Sequence, residues 1–180
     1  YHEIYFDGKR PTSFLSIPGA KDIGIEIHSL SKTYNMTGWR IGWACGNEKL
    51  VSGLATLKEN IDSGTFEAIQ IAGIECLSGP QDDVEQMRKT YQKRRDVLVE
   101  CLRKLNFQVK IPQATFYLWL KINEGSLSFA EKLLLKANII VTPGIGFGDS
   151  GEGYVRFALT IDEEKIKKAM EKMSNVMGEK

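Results

Sequence analysis

The chain has 180 residues, 42% of them hydrophobic, enough for one domain with a substantial core or for two smaller pieces. Twenty-four lysines and arginines against 23 acidic residues leave a net charge of +1, so no bulk field recruits nucleic acid or an anionic membrane, and any anion must be caught by a local site. Apolar runs such as Leu133-Leu134-Leu135 are far too short to span a bilayer, and without a basic-then-apolar leader the expectation is a soluble, cytoplasmic protein with no membrane partner.

The chain opens on Tyr1 and runs at once into strand-like sequence, which reads as a piece of something longer. Residues 1–6 predict a short strand closed by the polar turn Asp7-Gly8-Lys9-Arg10-Pro11. Residues 23–28 alternate apolar and other side chains and predict a strand that delivers the chain to Ser29. The segment Ser29-Leu30-Ser31-Lys32-Thr33-Tyr34-Asn35-Met36-Thr37-Gly38-Trp39-Arg40-Ile41-Gly42 therefore falls in a loop just past a strand end. A second strand is predicted at 41–45 and a helix at 48–57, an order that belongs to the sheet of an α/β domain. Residues 69–77 are apolar enough for a packed helix, which Ser78-Gly79-Pro80 closes.

A long helix then opens at Gln81 or Asp82 and reaches Leu105. Val84, Met87, Tyr91, Leu98 and Leu102 recur at steps that place them on one face, and early Asp82, Asp83 and Glu85 with late Arg103 and Lys104 match the helix dipole. Beyond it, residues 107–111, 115–122, 139–142 and 154–159 predict strands and 128–137 a helix. Thr160, with Glu163 three residues on, predicts a capping box for the last helix, which carries Ile166, Ala169, Met170 and Met173. This half reads as a compact α+β layer of three or four strands covered by helices.

The chemistry concentrates in the loop. Lys32 stands between hydroxyls and an arginine, a set suited to a phosphorylated aldehyde: an amine condenses with the aldehyde, while a guanidinium and short hydroxyls hold the phosphate. Cys45, Cys76 and Cys101 are odd in number and widely spaced, which reads as three free thiols rather than a disulfide framework or zinc site. His2 and His28 lack the companions a metal site requires, so no metal is expected. Gly144, Gly146 and Gly148 read as a flexible loop, and Phe116, Tyr117 and Trp119 as core.

Ser29-x-Ser31-Lys32, with Arg40 eight residues after the lysine and Gly42 beyond it, resembles the pyridoxal-phosphate signature of class I and II aminotransferases, the fold-type I enzymes. Tyr154-Val155-Arg156-Phe157 resembles the late strand of that family that carries a substrate-binding arginine. More narrowly, residues 28–42, Asn60-Ile61-Asp62-Ser63-Gly64 and Ala114-Thr115-Phe116-Tyr117-Leu118-Trp119 resemble LL-diaminopimelate aminotransferases and their close relatives.

The resemblance implies an α/β fold: residues 1–85 would end the large pyridoxal-phosphate-binding domain, and residues 86–180 would form the α+β small domain, joined by the helix at about 82–105. It implies pyridoxal 5'-phosphate as cofactor, Lys32 as the catalytic lysine, Ser29, Arg40 and Ser31 at the phosphate, and Tyr1 at the cofactor's phenolic oxygen. Arg156 would bind the substrate carboxylate bidentately. The partners it implies are an amino acid and a 2-oxo acid, with LL-diaminopimelate and 2-oxoglutarate as the preferred pair, and a second copy of the chain in a homodimer with shared active sites. The loop at Ser63-Gly64-Thr65 would approach the partner's cofactor or serve as a plain turn. Two alternatives stay open on the same scaffold: a lyase acting at Cβ or Cγ, and a cofactor-sensing regulator. Complete members carry, before the position of Tyr1, further cofactor-binding groups, including the aspartate that pairs with the pyridine nitrogen. The resemblance therefore implies an incomplete, inactive piece of an enzyme roughly twice this size.

Overall fold

The computed structural model describes residues 1–178. Residues 1–6 do not form the expected strand: Ile4 N–H donates back to the Tyr1 carbonyl at 2.9 Å, which makes a turn, and only Tyr5 makes a bridge pair. The alternation there serves burial instead, since Ile4 and Phe6 are fully buried. A short helix, α1 (Ala20–Ile23), leads into strand β1 (Ile25–Ser29), followed by α2 (Leu30–Thr33), strand β2 (Gly42–Gly46), and helices α3 (Glu48–Glu59) and α4 (Glu67–Ser78). Strands β1 and β2 are antiparallel, in a register that sets His28 opposite Trp43 and Ser29 opposite Gly42. Asn47 starts α3 by accepting the Leu50 N–H at 3.1 Å.

Helix α5 (Asp82–Lys104) follows, and the chain divides inside it into two compact units, one from Tyr1 to Gln86 and one that begins at Met87. Its end is an αL cap: Asn106 takes φ 64°, and the Phe107 N–H closes on the Leu102 carbonyl at 3.1 Å. That cap turns the chain away from any ladder, so residues 107–111 form no strand, against expectation.

The second unit is built on a three-stranded antiparallel sheet in the order β3 (Tyr117–Lys121), β5 (Tyr154–Ala158), β4 (Thr142–Pro143). Leu118, Leu120, Val155 and Phe157 face one side of it and are buried. Helix α6 (Ser126–Ala137) lies against β4, β5 and helix α7 (Glu163–Gly178), and it contributes Phe129 and Leu133 to the core. Ile166, Met170, Met173 and Val176 of α7 and Leu98 and Leu102 of α5 are buried as well. The predicted strand at 139–142 contracts to Thr142–Pro143, because Ile139 N–H is spent on the C-terminal end of α6 at the Leu133 carbonyl, 3.1 Å away. The expected Thr160 cap is displaced: Asp162 Oδ1 accepts the Lys165 N–H at 2.8 Å and starts α7. The architecture is thus α/β, with mixed helix and sheet. Among the described residues no helix is long and apolar enough to cross a membrane.

Candidate active site

Strand β1 ends on Ser29 and the chain turns directly into α2, so Lys32 stands on a one-turn helix rather than in the open loop expected. The cause is Ser29 itself. In extended conformation (φ −143°, ψ 143°) it is the N-cap, and its Oγ accepts the Ser31 N–H at 3.1 Å. The same hydroxyl donates to Ser31 Oγ at 2.8 Å. Leu30 is buried beneath the turn, and its N–H donates to the Ile41 carbonyl at 3.2 Å, tying the start of the 30–41 connection to its end.

Within that connection the chain reverses through left-handed residues, Asn35 at φ 54° and Arg40 at φ 55°. Thr37 Oγ1 donates to the Ser31 carbonyl at 2.9 Å, and Arg40 Nη1 donates to the Thr37 carbonyl at 2.9 Å. These bonds fold the segment back on α2. The result is a cleft of about 820 Å³ whose lining includes Tyr1, Ser29, Ser31, Lys32 and Arg40. Five residues singled out from sequence are therefore brought together. An amine, a guanidinium and hydroxyls that share one cleft can hold an anion with a carbonyl group attached.

Tyr34 and Thr37 also line this cleft, though the residue pattern did not single them out. Tyr34 donates its hydroxyl to Gln81 Oε1 at 2.8 Å, and burial pushes the phenol above its usual range. Glu26 and His28 come from one face of β1. Glu26 Oε1 accepts from Ser13 Oγ at 2.8 Å, and Oε2 lies 2.9 Å from His28 Nε2. The Ser13 bond, followed by the His28 bond, lowers the carboxyl to about 2. The His28 ring stacks on Trp43 at 5.1 Å, as their cross-strand pairing allows. His28 does have companions, contrary to expectation: ligand atoms of Glu26, His28 and Cys45 lie within 4.8 Å of one another. The Glu26 oxygens are nevertheless engaged by Ser13, the Leu15 N–H and His28, which makes this a hydrogen-bonded network.

Arg156 belongs to the second unit. It points away from buried Val155 and Phe157, and its guanidinium carbon sits 4.0 Å from the Tyr117 ring centroid and 4.5 Å from that of Phe147. Phe116 is buried, but Trp119 is 40% exposed and shares the Arg156 face, so it is not the core residue expected. The glycine-rich stretch is not an open loop either. It forms two 3₁₀ turns, at Gly144–Phe147 and Asp149–Gly151, because Gly144 and Gly151 meet backbone to backbone; a Cβ on Gly144 would lie 1.9 Å from the Gly151 carbonyl oxygen. Ser63 and Thr65 flank Gly64, which holds φ 90° and donates its N–H to Asp62 Oδ1 at 2.9 Å.

The family model for class I and II aminotransferases matches residues 1–173. An LL-diaminopimelate aminotransferase of Moorella thermoacetica is 52% identical over 180 residues, covering 99% of this chain and 46% of its own length. One from Halothermothrix orenii is 54% identical over 177 residues, 97% of this chain and 46% of its own. Among solved structures, an aromatic aminotransferase from Pyrococcus horikoshii superposes with a TM-score of 0.94 at 31% identity, over 99% of this chain and 49% of that one. The chain thus spans about half the length of the curated relatives it matches, 46% in each case named.

Proposed function

Because the chain belongs to the class I and II aminotransferase family, we propose that it serves an enzyme that moves an amino group between an amino acid and a 2-oxo acid. The observation that carries the reading is the convergence of Lys32, Arg40, Ser29, Ser31 and Tyr1 on one cleft. LL-diaminopimelate and 2-oxoglutarate are the proposed pair, on the strength of relatives at 52% and 54% identity.

The donor set of that cleft fits pyridoxal 5'-phosphate at its aldehyde and phosphate ends. Ser29, Ser31 and Arg40 would take the phosphate, Tyr1 the ring's phenolic oxygen, and Lys32 the aldehyde carbon. When bound, this cofactor supplies a conjugated ring that draws electrons from the substrate's α-carbon. Once the substrate amine has taken its place at the aldehyde carbon, Lys32 Nζ would be free to accept the proton leaving the substrate's α-carbon, so one amine would do both jobs. The one-turn helix fixes where Nζ can swing, and Arg40, bonded back to the Thr37 carbonyl, keeps its remaining donors for the anion. Arg156 binds the substrate carboxylate with its planar fork. The reading includes a homodimer in which the Ser63-Gly64-Thr65 turn reaches toward the second copy.

The test is borohydride reduction of the whole protein loaded with pyridoxal phosphate, followed by peptide mapping. Label on Lys32, abolished by Lys32→Ala, is expected. Label on another lysine, or none on Lys32, would sink the reading.

A further inference from the structure

Arg156 has an unusual environment for a strand arginine. Two aromatic rings flank its guanidinium carbon, at 4.0 Å for Tyr117 and 4.5 Å for Phe147, while its guanidinium meets no hydrogen-bond acceptor among the described residues. A ring face holds a guanidinium without consuming any of its N–H donors, which all lie in the guanidinium plane. Tyr117 is fixed because it belongs to β3, paired with Ala158 of the adjacent strand. Phe147 is not on the sheet at all. It closes the Gly144–Phe147 turn, is 49% exposed, and touches Trp119 edge-on at 5.2 Å.

An exposed phenylalanine needs a reason to stay there, and the turn beneath it supplies one. Ile145 N–H donates to Ser126 Oγ at 3.2 Å. Ser126, fully buried, spends its own N–H and hydroxyl on the two oxygens of Glu152, at 2.7 and 2.8 Å. The Gly144 and Gly151 backbones meet so closely that the turn cannot slide on its base. A carboxylate, a buried hydroxyl and two glycines thus aim one ring at one cation.

We infer that Phe147 is a positioning residue: with Tyr117 it orders the Arg156 guanidinium and leaves the N–H donors free for a carboxylate, and the Glu152–Ser126 pair sets its place. The inference rests on the reading of Arg156 as the ligand of the substrate carboxylate. It adds that the arginine's orientation is held by an aromatic from outside the sheet, so the strength of carboxylate binding depends on a residue that never touches the substrate.

The experiment uses the whole protein with arginine labelled by ¹⁵N, read by the ring-current displacement of the Arg156 Nε–H signal and by the Kd for 2-oxoglutarate. Phe147→Leu is expected to move the signal toward its position in a free peptide and to weaken binding about threefold to tenfold, the worth of one exposed cation–π contact or a little more. Phe147→Tyr keeps a ring and should preserve both readouts. Glu152→Gln should move the signal the same way by a smaller amount, and Arg156→Lys should weaken binding by more than about tenfold. An Arg156 signal unmoved in Phe147→Leu, or an unchanged Kd beside a weakened Arg156→Lys, overturns the positioning role. If the whole protein does not bind 2-oxoglutarate, or Arg156→Lys binds it like the native protein, the carboxylate reading falls instead, and the Nε–H signal alone still decides whether Phe147 orders the guanidinium.

Discussion

Ser29 and Ser31 are joined twice: the Ser31 N–H donates to Ser29 Oγ at 3.1 Å, and the Ser29 hydroxyl donates to Ser31 Oγ at 2.8 Å. Lys32 is the next residue, so this pair sets the first turn on which the lysine stands. Ser29→Ala removes the cap and should cost about 1 kcal/mol of stability in urea unfolding. It should also lower borohydride-trapped cofactor on Lys32, while Ser29→Thr, which retains a capping hydroxyl, keeps most of both. Equal trapping in the native chain and Ser29→Ala would show that the cap does not aim the lysine.

Gly42 lies opposite Ser29 in the β1–β2 ladder, and a Cβ added there would sit 2.4 Å from the His28 carbonyl oxygen. Backbone cannot yield as a flexible side chain does, so Gly42→Ala must pry the strands apart at the lysine end. A loss of about 1–3 kcal/mol is expected, in the range of overpacked sites. Gly38, four residues earlier, has nothing within 4 Å of such a Cβ. Gly38→Ala should therefore stay within about 0.5 kcal/mol of the native chain, and comparable losses at both positions would refute the contact argument.

Glu26 gives a pH dependence with a definite sign. Its carboxyl falls from an ordinary 4.5 to about 2 in the fold, chiefly through the Ser13 hydroxyl and then His28. A group ionised more readily in the folded chain than in the unfolded one adds stability above its unfolded value. That contribution is lost as the pH falls from 4.5 toward 2. Urea midpoints measured down this range should fall more steeply for the native chain than for Glu26→Gln, and Ser13→Ala should flatten the curve in part. Parallel curves for native chain and Glu26→Gln would refute the assignment.

Much of the layout from β1 to the end of α5 is readable from residue pattern. The strand before Ser29, the strand after Arg40 and the long helix end within two residues of the pattern, because alternation, helical spacing and dipole-matched charges are local signals. The strands expected at 107–111 and over residues 1–6 do not form. Alternation reports which side chains are buried, as with Ile4 and Phe6, but a strand also needs a partner in register, and the pattern cannot name one. The same limit applies to the site. Lys32 and Arg40 are close in sequence and announce themselves together. Tyr117 and Phe147 come to Arg156 from a neighbouring strand and a 3₁₀ turn, and only the sheet register and the Gly144–Gly151 contact bring them there. The Glu26–His28–Trp43 cluster could have been found by taking β1 and β2 as a hairpin paired through Ser29 and Gly42, which sets His28 beside Trp43.

The start of α7 separates two caps by one measurement. The spacing of Thr160 and Glu163 favours a capping box at Thr160, but the helix begins at Glu163 and it is Asp162 Oδ1 that accepts the Lys165 N–H at 2.8 Å. The same backbone bond, followed by the bond to the Lys165 side chain, lowers the Asp162 carboxyl below its usual range. Three residues into the helix is where an N-cap acceptor finds an orphan donor, and Thr160 stands two positions too early to reach it. Asp162→Ala should lower the urea midpoint, and Asp162→Asn, which keeps an oxygen acceptor, should recover most of that loss. Thr160→Ala should stay within about 0.5 kcal/mol of the native chain. Because the carboxyl is held low in the fold, the advantage of the native chain over the Asp162→Ala variant should shrink as the pH falls below the unfolded value of 3.8. A larger loss at Thr160 than at Asp162 would restore the capping box and move the start of the helix back with it.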